Sequence, residues 1–95
     1  MNTSRLKSAV PPLEFYRVEL PGTLTPKRTN GWVDGGLCPF HDDHNTGNFR
    51  INLDNGAFKC FACGAHGGDI IAFAMLRRKV SFANATAALR NQWGV

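Results

Sequence analysis

This chain of 95 residues has no long apolar run, only three cysteines and, from residue 70 onward, no acid. The longest apolar stretch, 70–76, is seven residues, against the roughly 20 that a membrane-crossing helix needs. Residues 1–8 are polar, so no signal-peptide pattern opens the chain, and a cytoplasmic location with no membrane partner is expected. A mass of 10.4 kDa leaves room for one domain. That excludes a polymerase, a two-part nucleotide-binding enzyme or any other large catalytic fold. A domain this short buries only about 60–70% of the surface its unfolded chain exposes, so its core is thin. No internal repeat or low-complexity tract is present. With 43% hydrophobic and 19% charged residues, the composition is globular rather than disordered.

Charge is modest and uneven. The net +4 is weaker than that of a tail-type nucleic-acid binder. Residues 1–30 carry +3, 31–69 carry −3 and 70–95 carry +4. A basic frame therefore surrounds an acidic middle, whose two cations are Arg50 and Lys59.

An odd, small cysteine count argues against a secreted disulfide scaffold. The positions are more informative. Cys38-Pro39-Phe40-His41 and Cys60-Phe61-Ala62-Cys63 together read C-x2-H-x18-C-x2-C. Two short-spaced pairs at this separation are the signature of a tetrahedral zinc site, because each x2 turn aims two ligands at one ion. A redox pair is the other reading of C-x2-C, but residues 60–63 lack the βαβ context of such a motif. His44 and His66 are rivals for the fourth place. The x2 spacing of His41 mirrors the second pair and favours Cys38, His41, Cys60 and Cys63. Four protein ligands leave no position open for water, so the zinc is structural. Such an ion contributes on the order of 10 kcal/mol to folding, which offsets the thin core.

Between these pairs the chain alternates like a hairpin. Residues 48–53 and 57–61 flank Asn55-Gly56, a two-residue type I′ turn signal. That turn would set Ile51 opposite Cys60 and Arg50 opposite Phe61. Phe49, Ile51, Leu53, Phe58 and Cys60 would share the core face. Arg50, Asn52, Lys59 and Phe61 would share the other. Residues 24–28 and 32–37 read as two further strands around Thr29-Asn30-Gly31. Residues 1–12 read as a loose arm, and 13–20 as a short helix or packing segment stopped at Pro21-Gly22. Gly64, Gly67 and Gly68 free the chain after the second cysteine pair. Asp69 then caps a helix from residue 70 to about 79, and Ser81 caps another from 82 to about 92, ended by Gly94. Phe82, Ala85, Leu89 and Trp93 form the apolar stripe of the last helix.

The sequence resembles the N-terminal zinc-binding domain of bacterial and phage DnaG-type primases, the Cys-His-Cys-Cys zinc finger family. The resemblance rests on Gly36-Leu37-Cys38-Pro39-Phe40-His41, Phe49 and Phe58-Lys59-Cys60-Phe61-Ala62-Cys63-Gly64. It continues through Gly67-Gly68-Asp69-Ile70 with Phe73, and Ser81-Phe82 with Ala85 and Leu89, covering 32–95. It implies an α+β zinc ribbon, a small antiparallel sheet flanked by helices around one structural zinc. Residues 31–95 would be that domain and 1–30 an N-terminal arm and packing segment. In the family, this domain engages single-stranded template for primer initiation. Polymerisation belongs to a separate Toprim-type domain, and a further domain contacts the replicative helicase. The implied partners are therefore single-stranded DNA, a primase catalytic subunit or domain, and the helicase. Gly47-Asn48-Phe49 stands where the family has Pro-Ser-Phe, so a hydroxyl is lost there. Residues 67–69 are one residue longer than common versions. With no catalytic acids following, the chain reads as an accessory domain or as a standalone module of the kind carried by mobile elements.

The leading functional expectation is a non-catalytic single-stranded DNA-binding module. Arg50 and Lys59 would meet phosphates, Phe61 would stack a base, and Asn48 and Asn52 would hydrogen-bond. Lys27 and Arg28 are further candidates, with Arg77, Arg78 and Lys79 behind them. The alternative is an adaptor that docks a separate polymerase, helicase or mobile-element replication protein. An enzyme would need Asp42, Asp43, His44 and Asp69 to gather around magnesium, with no phosphate cradle to help.

Overall fold

A computed structural model describes residues 3–20, 22 and 24–95. The element order is α1 (Ser4–Ala9), α2 (Pro12–Glu19), β1 (Trp32–Asp34), β2 (Phe49–Asn52), β3 (Phe58–Cys60), β4 (His66–Gly67), α3 (Ile70–Arg78) and α4 (Phe82–Trp93). The strands form one antiparallel sheet in the order β1-β2-β3-β4. Helices cover its buried face, and the opposite face is open. No helix of the described residues is long and apolar enough to cross a membrane.

The expected helix caps form. Asp69 accepts from the Ala72 N–H and Ser81 from the Asn84 N–H, which satisfies donors that the first turns cannot pair internally. Gly94 closes α4 with a left-handed φ of 70°. Ile70, Ile71, Phe73 and Ala74 of α3 are buried, as are Ala85 and Leu89 of α4. Phe82, at the start of the expected stripe, is instead 42% exposed.

The N-terminal segment is not a loose arm. Leu6 and Val10 are buried, and Phe15 and Tyr16 of α2 lie fully inside the core. Pro12 stands at the first helical position, where its missing N–H costs nothing and its fixed φ suits the helix. The Pro11-Pro12 pair thus starts a helix rather than extending a tether. α2 ends at Glu19; of the expected Pro21-Gly22 stop, Pro21 lies outside the described residues. Phe73 joins the segment to the sheet. Its ring lies 5.6 Å from Phe15, 5.1 Å from Tyr16 and 5.3 Å from Phe58, all edge-on. The Tyr16 hydroxyl donates to the buried Gly56 carbonyl at 2.6 Å. Burial, reinforced by the Asp69 charge, holds that hydroxyl well above its usual pKa, so it stays a donor.

Two strand expectations fail for local reasons. Residues 24–28 run as a loop, because Pro26 cannot donate to a ladder. The hairpin turn is four residues long, not two. Asn52 pairs with Ala57 through a 2.8 Å bond, and the register sets Ile51 opposite Phe58 and Arg50 opposite Lys59. A type I′ turn needs positive φ at both central residues. Gly56 has φ of 81°, but among the described residues Lys79 is the only non-glycine with positive φ, so Asn55 does not comply. The Asn52 side chain decides the matter by accepting from the Asp54 and Asn55 amides. The shift is two residues, so every side chain keeps its expected face. Sequence reading also missed β4. Gly67 pairs with Phe58, and a Cβ there would lie 2.5 Å from the Phe58 ring.

Leu6→Ala should cost about 2–5 kcal/mol, the range for a buried leucine, in urea denaturation of the zinc-loaded chain. A loose arm would show no shift. Tyr16→Phe should cost about 1–2 kcal/mol, since it leaves the Gly56 carbonyl without its donor.

Candidate metal centre and nucleic-acid face

Four ligand atoms converge where the loop after β1 meets the end of β3. The side-chain donors of Cys38, His41, Cys60 and Cys63 all lie within 4.8 Å of one another. The Cys38 and Cys63 sulfurs are 3.8 Å apart, and His41 Nδ1 is 4.0 Å from the Cys60 sulfur. A tetrahedron with Zn–S bonds near 2.3 Å has S–S edges of about 3.8 Å. The donor set and its spacing therefore fit one zinc ion, and the four residues are arranged to bind it. His44 and His66 stand outside this group. The exposed His44 faces Asp42 at 3.4 Å, and His66 bonds the Gly64 carbonyl.

Both turns prepare the sulfurs for metal. The Phe40 N–H points at the Cys38 sulfur (3.4 Å) and the Cys63 N–H at the Cys60 sulfur (3.5 Å). The Gly64 N–H closes the second turn on the Cys60 carbonyl, with a φ of 82° that suits glycine. Without metal, burial pushes the Cys38 thiol up to about 12. Zinc binding must then expel that proton, which ties the fold to the ion. Asp43 supports the first turn. Its carboxylate accepts from the Cys38 N–H at 2.8 Å and from the Asn45 N–H, and lies 3.6 Å from His41 Nε2. The Cys38 N–H is the main reason its pKa sits below the ordinary carboxylate value. An anion on the far nitrogen orients a metal-bound imidazole and fixes its tautomer.

Phe40, inside the first ligand turn, carries the centre into the core. Its ring stacks on Phe58 at 5.6 Å and meets Phe73 at 5.3 Å.

The acids considered for magnesium are dispersed. Asp43 serves the zinc turn, Asp42 faces His44, and Asp69 caps α3 and pairs with Lys7 at 3.4 Å.

The open face of the sheet gathers cations and rings. One rung crosses all four strands as Asp34, Arg50, Lys59 and His66. The Lys59 ammonium sits 5.0 Å over the Phe61 ring, which is 66% exposed. Arg28, Trp32, Arg50, Lys59 and Phe61 line a single cleft. Trp32, 44% exposed, was missed by the sequence reading. Its place on the Arg50 face follows from strand alternation once β1 pairs with β2. Lys27 lies just beyond this cleft, in a neighbouring one. Asn48 is half-buried, and its carbonyl accepts from Phe61. Asn52 is a correction: it is buried, and its side-chain oxygen is occupied by turn amides. Arg78 bonds Glu19 and Gln92, and neither it nor Arg77 or Lys79 lines the cleft.

A closed Cys3His centre that clamps a loop to a four-stranded antiparallel sheet, with helices packed on one face, defines a helix-flanked zinc ribbon. The chain belongs to the CHC2 zinc finger family, whose model matches residues 23–95. It is 44% identical over 59 residues to a DNA primase of Mycolicibacterium smegmatis, covering 62% of this chain and 9% of that one. It is 33% identical over 78 residues to a DNA primase of Helicobacter pylori, covering 82% and 14%. The crystal structure of the Aquifex aeolicus primase (zinc-binding and RNA polymerase domains) superposes with a TM-score of 0.71 at 26% identity. It covers 99% of this chain and 22% of that one. The chain spans about a tenth of the length of the curated relatives it matches. It is a zinc-binding domain of the primase type.

Cys60→Ser should abolish stoichiometric zinc and cooperative unfolding, whereas His44→Ala and His66→Ala should each retain one zinc per chain. Metal analysis and circular dichroism check both. Asp43→Asn should weaken zinc affinity about tenfold or more in competition with a chelator, without changing stoichiometry.

Proposed function

We propose that this domain binds single-stranded DNA on the open face of its sheet and presents template for primer initiation. The carrying observation is the cleft lined by Arg28, Trp32, Arg50, Lys59 and Phe61. Among the described residues, none of its three cations pairs with a carboxylate, although Lys7, Arg17 and Arg78 all do. Arg28 and Arg50 are held by backbone carbonyls of Trp32 and Gly47, which positions the guanidinium groups without neutralising them. Uncompensated cations beside exposed rings are the usual combination for single strands: charge follows the phosphates and rings stack the bases. Lys27 and Asn48 border this surface and extend it.

On this reading, which the similarity to primases supports, the domain works beside a primase catalytic domain or subunit and its helicase, in the cytoplasm. Residues 31–95 then form the metal-binding part, with 1–30 as an N-terminal packing segment that includes α1 and α2. Among the described residues, Asp42, Asp43 and Asp69 are held apart by the zinc turn, His44 and the α3 cap, so no catalytic step is assigned to them.

Anisotropy with short oligothymidylate tests the reading. Phe61→Ala should weaken binding by about 1–3 kcal/mol, the worth of one stacked base. Arg50→Ala and Lys59→Ala should each lower the salt slope by about 0.7. Asn52→Ala should lower stability and leave affinity unchanged. Unaltered affinity across the three face variants would exclude this surface and favour the adaptor role.

A further inference from the structure

Two clefts open side by side at the β1 edge, and both are lined by Arg28 and Arg50. Their chemistry differs. The first, about 390 Å³, adds Trp32, Lys59 and Phe61. The second, about 460 Å³, adds Thr25, Lys27, Asp34 and Thr46 and contains no aromatic ring. Both volumes fall in the range of small-ligand sites.

The first cleft offers two π faces and a cation, the requirements of a nucleobase. The second offers two hydroxyls and an ammonium beside the shared guanidiniums, the requirements of phosphate oxygens. Asp34, its lone carboxylate, is oriented by its own turn, with Oδ1 accepting from the Gly36 N–H at 2.9 Å, and its charge is outnumbered by Lys27, Arg28 and Arg50. Arg50 spends Nε on the Gly47 carbonyl, which leaves its terminal N–H groups to donate.

The geometry points to a nucleoside 5′-triphosphate site: the base against Trp32 and Phe61, the phosphates passing Arg28 and Arg50 toward Lys27 and Thr46. It rests on the sheet face being the nucleic-acid side. Two features favour a mononucleotide over a passing strand. A strand carries one charge per phosphodiester and needs a stacking surface for each successive base, yet the second cleft has no ring. Together the two clefts gather Lys27, Arg28, Arg50 and Lys59 beside one ring-lined subsite, four cations against the one carboxylate of Asp34, more positive charge than one phosphodiester requires.

Two-dimensional amide NMR of the zinc-loaded chain, in magnesium-free buffer, separates the two readings. The ligands are ATP, AMP, adenosine and an oligothymidylate with a 5′-hydroxyl end. ATP should bind about tenfold or more tightly than adenosine, with AMP between them, and should shift the amides of Lys27 and Thr46. Lys27→Ala should lower ATP affinity about tenfold, the effect of one charge-assisted contact, and weaken the oligothymidylate by less, while Thr46→Ala should lower ATP affinity alone. Phe61→Ala should weaken both. ATP binding no tighter than adenosine, with the oligothymidylate still bound, would overturn the nucleotide site and leave the single-strand reading standing. Equal loss of ATP and oligothymidylate in Lys27→Ala would do the same, making the second cleft part of a strand track. No binding of either ligand would sink both readings.

Discussion

One zinc tetrahedron closes a chain that has too little core to close itself. Between β1 and β2 runs a loop with no regular structure, residues 35–48, and it carries two of the four ligands. The other two sit at the end of β3 and in the turn after it. Metal bonds therefore tie the loop to the strand two places away in the sheet order. Hydrogen bonds alone would hold the loop poorly: Gly35 to Phe49 at one end and the Asp43 contacts in the middle. Three thiolates around a divalent ion also leave a net negative charge there, which the amide donors of Phe40 and Cys63 help to hold.

The metal is not a separate staple beside the core. Phe40 belongs to the first ligand turn and packs on Phe49, Phe58 and Phe73. Phe73 in turn meets Phe15 and Tyr16 of the N-terminal segment. A displacement at the zinc is thus transmitted through close-packed rings to α2, because such interiors have few voids to absorb it. This continuity explains why residues before β1 belong to the same folding unit. It also explains why Tyr16 can place its one polar atom on Gly56 at the hairpin turn, across the molecule.

Features set by a few neighbouring residues were legible in the sequence. Ligand spacing located the zinc, and Asp69, Ser81 and Gly94 marked the helix ends through bonds no longer than one turn. Competition and distance hid the rest. Asn55-Gly56 is a strong turn signal, but the Asn52 side chain captured the same amides and lengthened the loop. The Val10-Pro11-Pro12 run looks like a tether until a core exists to bury Val10. β4 is two residues long, and its Gly67 is needed for close approach to Phe58, a constraint that only tertiary structure shows. Trp32 was overlooked because the value of its exposed ring depends on Phe61, a distant residue in sequence that lines the same cleft.

The charge pattern gains meaning from the pairing. A net +4 spread evenly would say little about partners. Three of the helix cations face carboxylates: Lys7 meets Asp69, Arg17 meets Glu14 and Arg78 meets Glu19. The acids of the middle are spent on turns, caps and the zinc loop, as with Asp34, Asp43, Asp54 and Asp69. The sheet face is left with Arg28, Arg50 and Lys59 and no carboxylate partner among the described residues. Folding therefore uses part of the charge in ion pairs and turns and brings Arg28, Arg50 and Lys59 together at one cleft of the sheet face. Within the zinc loop, Asp43 accepts from the Cys38 amide and lies 3.6 Å from His41 Nε2, so its charge is engaged by the ligand turn rather than by the cleft cations.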